Sequence, residues 1–136
     1  MRPHFIVDKS AWARSHVAAV GDVLQPLLEE GAVATCSVVD LEILYSARSA
    51  ADYEAVAGEL GSIEHLPMSQ TVFDRALDIQ RRLAATGLHR IPIPDLLIAA
   101  VAVEHDLAVL HYDADFEAVA SVAGLAHTWV APRGSI

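Results

Sequence analysis

Three features of the sequence predict an α/β fold. Short runs rich in apolar or β-branched residues alternate with longer helical patterns, as where parallel strands are joined by crossover helices. Glycines stand just past several of the helical stretches. One stretch, "LLIAAVAV" at 96–103, is apolar on every side and so belongs at the centre of the molecule. In chain order the strands are "HFIVD", "AVATC", "IEHLP" and "AVLHY", with a weaker fifth at "HTWVA". Helices are expected at 22–30, 38–48, 51–60, 70–86, 95–104 and 114–122. Gly31, Gly61, Gly87 and Gly124 are expected to take the left-handed turn that ends a helix. In the loop "LHRIPIPD", Pro94 suits a helix start, because its missing amide hydrogen would be unsatisfied there anyway. The expectation is three layers, with helices on both faces of a mostly parallel sheet of four to five strands. With no linker, repeat or low-complexity tract, residues 1–136 are expected to form a single domain.

Composition narrows the functions on offer. The apolar run at 96–103 is far below the ~20 residues a membrane span requires, and nothing at the start resembles a secretion signal. One cysteine, Cys36, excludes a disulfide framework and a multi-thiolate zinc site within the chain, which fits a reducing cytoplasm. The net charge of -9 opposes nucleic-acid binding unless some of the acids hold metal ions that reverse the local field.

The positions of the acids favour the metal. Asp8 and Asp113 end two of the expected parallel strands, and sites in open α/β sheets form outside the carboxyl ends of strands. Singly, Asp8, Asp95 and Asp113 could each be a helix cap. Asp40 follows Ser37 by three residues and reads as half of a capping box. Glu42 has no such role: its helical neighbours are Val38, Val39, Tyr45 and Ser46, which turns it toward the protein. A buried carboxylate needs a cation, a proton or strong hydrogen bonds. The set Asp8, Glu42, Asp95, Asp113 and Asp115 offers only oxygen ligands, which favours Mg2+ or Mn2+ over zinc. Such a cup suits phosphodiester hydrolysis.

The order "VDKSAW", "DLEILYSAR", "IPDLLIAA" and "LHYDADFEAVA" resembles PIN domains, and more narrowly the VapC-type toxins of bacterial toxin–antitoxin pairs. The likeness covers almost the whole chain. It implies a PIN-like sandwich in which Asp8, Glu42, Asp95 and Asp113 are the acidic metal positions, Asp115 an additional acid, and Ser10 a hydroxyl beside the metal. It also implies Mg2+ or Mn2+ as cofactor, hydrolysis of transfer or ribosomal RNA, a homodimer, and a cognate antitoxin lying across the catalytic groove. Three positions depart from the pattern: Lys9 stands where threonine is common, Ser46 where glycine often stands, and His111-Tyr112 where many relatives carry a small hydroxyl residue.

Outside the acids, Arg14, Arg48 and His111 are candidate substrate contacts, with Arg81, Arg82 and Arg90 more simply read as surface charge. Trp12 and Tyr45 could stack on bases, but their apolar neighbours make packing the expectation. Two alternatives stay open: a non-catalytic phosphoacceptor or binding module with an acidic pocket, and a metal-dependent nuclease acting on DNA.

Overall fold

A computed structural model describes residues 2–136. Five parallel strands form one sheet in the order β3-β2-β1-β4-β5. They are β1 (Phe5–Val7), β2 (Val33–Thr35), β3 (Glu64–His65), β4 (Ala108–His111) and β5 (His127–Trp129). Successive strand residues point to opposite faces, yet Ile6 and Val7, all of β2, and Val109 to His111 are buried. Both faces are therefore covered, which is the expected three-layer arrangement. The fifth strand, weak in the sequence, pairs fully with β4.

Among the described residues seven helices connect the strands: α1 (Lys9–Trp12), α2 (Ala18–Glu29), α3 (Ser37–Tyr45), α4 (Ala50–Gly61), α5 (Gln70–Ala84), α6 (Ile93–His105) and α7 (Asp115–Ala120). Helix α6 buries Leu96 and Ile98 through Ala102 and packs on β1, β4, α3, α5 and α7, the central place that its uniform apolarity predicts. Pro94 lies in its first turn. Helix α1 was not expected, because its four residues are too few to show a period.

Three local expectations are corrected. Gly31 and Gly87 take the left-handed turn, at φ 71° and 76°, but Gly61 and Gly124 do not, and Asp106 makes that turn at the end of α6 with φ 56°. Asp40 is not in a capping box, because Cys36 rather than Ser37 caps α3. Instead the Asp40 carboxylate accepts from Thr35 Oγ1 at 2.7 Å and contacts His65 Nε2 at 2.6 Å, tying β2, α3 and β3 together. The capping pair occurs one helix later, where Ser49 Oγ accepts the Asp52 amide and the Asp52 carboxylate accepts the Arg48 amide.

Candidate active site

The parallel register of β1 and β4 pairs Val7 with Leu110, so the residues just beyond them, Asp8 and Asp113, emerge at the same sheet edge. The Asp8 amide still donates to the Leu110 carbonyl at 2.9 Å. Ser10 locks this junction: its amide and hydroxyl donate to Asp8 Oδ2 at 2.9 and 2.5 Å, and its hydroxyl accepts the Tyr112 amide at 2.8 Å. Asp8 therefore caps α1 through one oxygen and keeps the other free.

Two helices complete the cluster. Asp95 lies in the first turn of α6 and Glu42 lies midway along α3. Carboxylate oxygens of Asp8, Glu42 and Asp95 come within 4.8 Å of one another, and so do those of Asp95, Asp113 and Asp115. Asp95 thus belongs to both triads. Asp113 Oδ1 accepts the Asp115 amide at 2.9 Å, a turn that opens α7 and holds Asp115 beside its neighbour.

Crowding acids away from water is costly: two carboxylates about 4 Å apart repel by about 4 kcal/mol at an effective dielectric of 20. The protonation equilibria register this. Burial, aided by the charges of Asp8 and Asp113, pushes Asp95 up to about 8. Burial also raises Asp8, against the lowering bonds from Ser10, and raises Glu42 and Asp115 with help from neighbouring carboxylates. Asp8 Oδ1 and Glu42 Oε1 are buried with no hydrogen-bond partner. Two orphaned, converging carboxylate oxygens, each from a different triad member, are what a hard divalent cation requires. The donor set fits such an ion.

The other candidates are placed less uniformly. Arg14 donates to the Ser10 carbonyl at 2.8 Å and lies 4.8 Å over the Tyr112 ring, beside the acids but already engaged. Arg48 is exposed and shares a cavity with Lys9. His111 is corrected: fully buried, it cannot touch a phosphate. Its Nδ1 accepts the Asp113 amide at 3.1 Å, and its Nε2 lies 2.8 Å from His127 Nδ1. Burial and the neighbouring His127 push it down to about 4, so the ring is neutral at neutral pH. With Nδ1 accepting, Nε2 carries the hydrogen and donates to His127. Tyr45 is corrected too: it is 90% exposed, while Trp12 packs partly against the core as expected.

Sequence reasoning missed His127. The signal was available in the two-residue period of parallel strands: Val109 is in register with His127, which puts His127 on the His111 face, one diagonal step away. His111→Ala would leave the Asp113 amide without its acceptor and open a void where the ring meets Phe116, His127 and Trp129. It is expected to cost about 2–4 kcal/mol in urea unfolding, part of it recovered by His111→Asn, whose amide oxygen can accept the same hydrogen.

Fold and site together define a class, a parallel α/β domain with clustered carboxylates where its central strands end. Residues 5–122 match the PIN domain family, and the chain belongs to that family. It is 41% identical to Ribonuclease VapC21 of Mycobacterium tuberculosis, over 99% of each chain. To Ribonuclease VapC51 of the same organism it is 42% identical, covering 97% of this chain and 96% of that one. Among solved structures, VapBC2 from Rickettsia felis bound to a DNA fragment from their promoter gives a TM-score of 0.77 at 19% identity, covering 95% of this chain and 99% of the other. VapBC-5 from Mycobacterium tuberculosis, a member of the VapBC family of toxin-antitoxin systems, gives 0.68 at 26% identity, covering 92% and 98%.

Proposed function

We propose that this chain is a metal-dependent endoribonuclease, the toxin of a bacterial toxin–antitoxin pair, acting in the cytoplasm as one domain spanning residues 1–136. The observation that carries the reading is the pair of orphaned oxygens on Asp8 and Glu42, converging with Asp95 where the central strands end. The VapC relatives bear the name ribonuclease and span the same length as this chain, which supports RNA as the substrate over DNA. Transfer or ribosomal RNA is the proposed target.

Asp8, Glu42, Asp95 and Asp113 would hold Mg2+ or Mn2+, with Asp115 contributing beside Asp95 and Asp113. When bound, the ion supplies charge at a phosphate oxygen and lowers the pKa of the attacking water. The chain's own residues position the acids. Ser10 fixes the Asp8 rotamer and ties β1 to β4, so that one carboxylate oxygen faces the cup. His111 holds the Asp113 amide from beneath, and Arg14 over Tyr112 brings a cation to the rim. No protein nucleophile is required.

Two partners belong to this reading. A homodimer is supported by the apolar face of α5 and α6, where Phe73, Leu77 and Ile93 are 42%, 61% and 66% exposed. A cognate antitoxin covering the groove is supported by the likeness to VapBC complexes.

Purified protein incubated with total RNA is expected to cut it with Mg2+ or Mn2+ and to stop in EDTA. Asp8→Asn is expected to lose at least about a hundredfold in rate, since metal-based charge stabilisation contributes several kcal/mol. Metal-independent cutting, or a variant as active as the parent, overturns the proposal.

A further inference from the structure

Beside the acid cup, between α1, α3 and α4, lies a second cavity of about 260 Å3. Its polar lining includes Lys9, Ser46 and Arg48, and its apolar lining Trp12, Ile43 and Val56. Its position follows from the chain: Lys9 succeeds Asp8 and Ile43 succeeds Glu42, so the cavity wall and the cup share α1 and α3. Lys9 and Ser46, from different helices' ends, face this one space.

Charge says what it takes. On a chain of net charge -9, Lys9 is the only lysine, and neither it nor Arg48 forms an ion pair among the described residues. Arg75, Arg82 and Arg133, by contrast, are each paired with an acid. Asp52, which also lines the cavity, is committed through Oδ2 to the Arg48 amide. Two unpaired cations next to an apolar wall match a phosphate followed by a sugar and base. A strand with one linkage at the acids reaches this cavity along the α1 and α3 wall that the two share.

We propose that this cavity is the subsite for the nucleotide adjoining the cleaved linkage, its phosphate against Lys9 and Arg48 and its base against Trp12, Ile43 and Val56. The inference rests on the nuclease reading of the acid site and adds to it a place where sequence preference is set. The apolar wall tolerates any base face, while the size of the space and the Ser46 hydroxyl limit what fits.

Two variants test it, Arg48→Ala to remove a cation and Ser46→Trp to fill the space, each read on RNA and on bis(p-nitrophenyl) phosphate, a small diester that needs the acids alone. The expected result is a roughly tenfold fall in kcat/KM on RNA and, for Arg48→Ala, a salt dependence shallower by about one. Hydrolysis of the small diester stays at the parent rate. Equal rates of RNA cleavage in parent and variants overturn the subsite, as does a parallel fall on both substrates. Affinity for a single-stranded oligoribonucleotide, measured in an Asp95→Asn background where RNA stays intact, separates this inference from the nuclease reading. Weakened binding by both variants alongside a parent that cuts neither substrate sinks the nuclease reading and leaves the cavity a single-strand RNA site, which overturns its place beside a cleaved linkage. Unchanged binding, with capture of an antitoxin peptide weakened instead, gives the cavity to a protein ligand and overturns it.

Discussion

Asp95→Asn is expected to abolish RNA cleavage and, in the same protein without metal, to raise the melting temperature. Asp95 is the acid common to both triads, so its loss removes an oxygen from each. On the nuclease reading the rate falls by at least two to three orders of magnitude, because several kcal/mol of charge stabilisation depend on the cup. Stability moves the other way. Asp95 is only 6% exposed and is pushed up to about 8 by burial and by the charges of Asp8 and Asp113. At pH 7 the unfolded chain carries it ionised and the folded chain carries it protonated, at 1.36 kcal/mol for each pH unit between the unfolded value and pH 7. Replacing it by a neutral residue of the same shape is expected to recover about 2–4 kcal/mol, or roughly 5–15 °C by scanning calorimetry in EDTA. An acid that destabilises its own fold is held for what it does, and a variant melting at or below the parent temperature would show that Asp95 is no such burden.

The second large effect is a fall in metal-free stability with rising pH. Asp8, Glu42, Asp95 and Asp115 all have raised folded values, so the folded protein binds more protons than the unfolded chain. The stability of unfolding therefore declines with pH: these groups' contribution is complete below about 4 and lost as pH climbs through the folded values, the highest being about 8 for Asp95. His111 acts in the opposite sense, because its folded value is lowered to about 4 from 6.5. Its contribution is present above 6.5 and lost as pH falls below it. Between pH 6.5 and 8.5 His111 no longer changes charge while Asp95, with its folded value about 8, ionises, and there the melting temperature in EDTA is expected to drop steadily. Saturating Mn2+ is expected to flatten the curve, since a bound cation offsets the repulsion that ionisation creates. A metal-free melting temperature that is flat or rising across this window contradicts the crowding of acids.

The sequence showed some of this directly and hid the rest for physical reasons. Asp8 and Asp113 were legible because parallel strands of period two run straight into them, and their being neighbours follows from the β1–β4 pairing. Glu42 was legible from its helical register, although Tyr45, read there as packed, points to solvent. Helix ends read from glycine alone held at Gly31 and Gly87. They failed at Gly61 and Gly124, where no turn requires a positive φ, and at α6, where Asp106 makes the left-handed turn. The partner of Asp40 was a tertiary one, His65, 25 residues away, which local motif spacing cannot reveal. His111 was misread because a histidine beside acids suggests chemistry, whereas a ring surrounded by Phe116, His127 and Trp129 is a buried strut.

Calorimetric titration of the metal-free protein with Mn2+ at pH 8 tests the central claim most directly, with Glu42→Gln titrated alongside. Saturable binding by the parent, weakened at least about tenfold by removing one of the two orphaned oxygens' carboxylates, is the predicted result. No binding by the parent, or equal binding by the variant, would mean that these acids gather for some reason other than a cation.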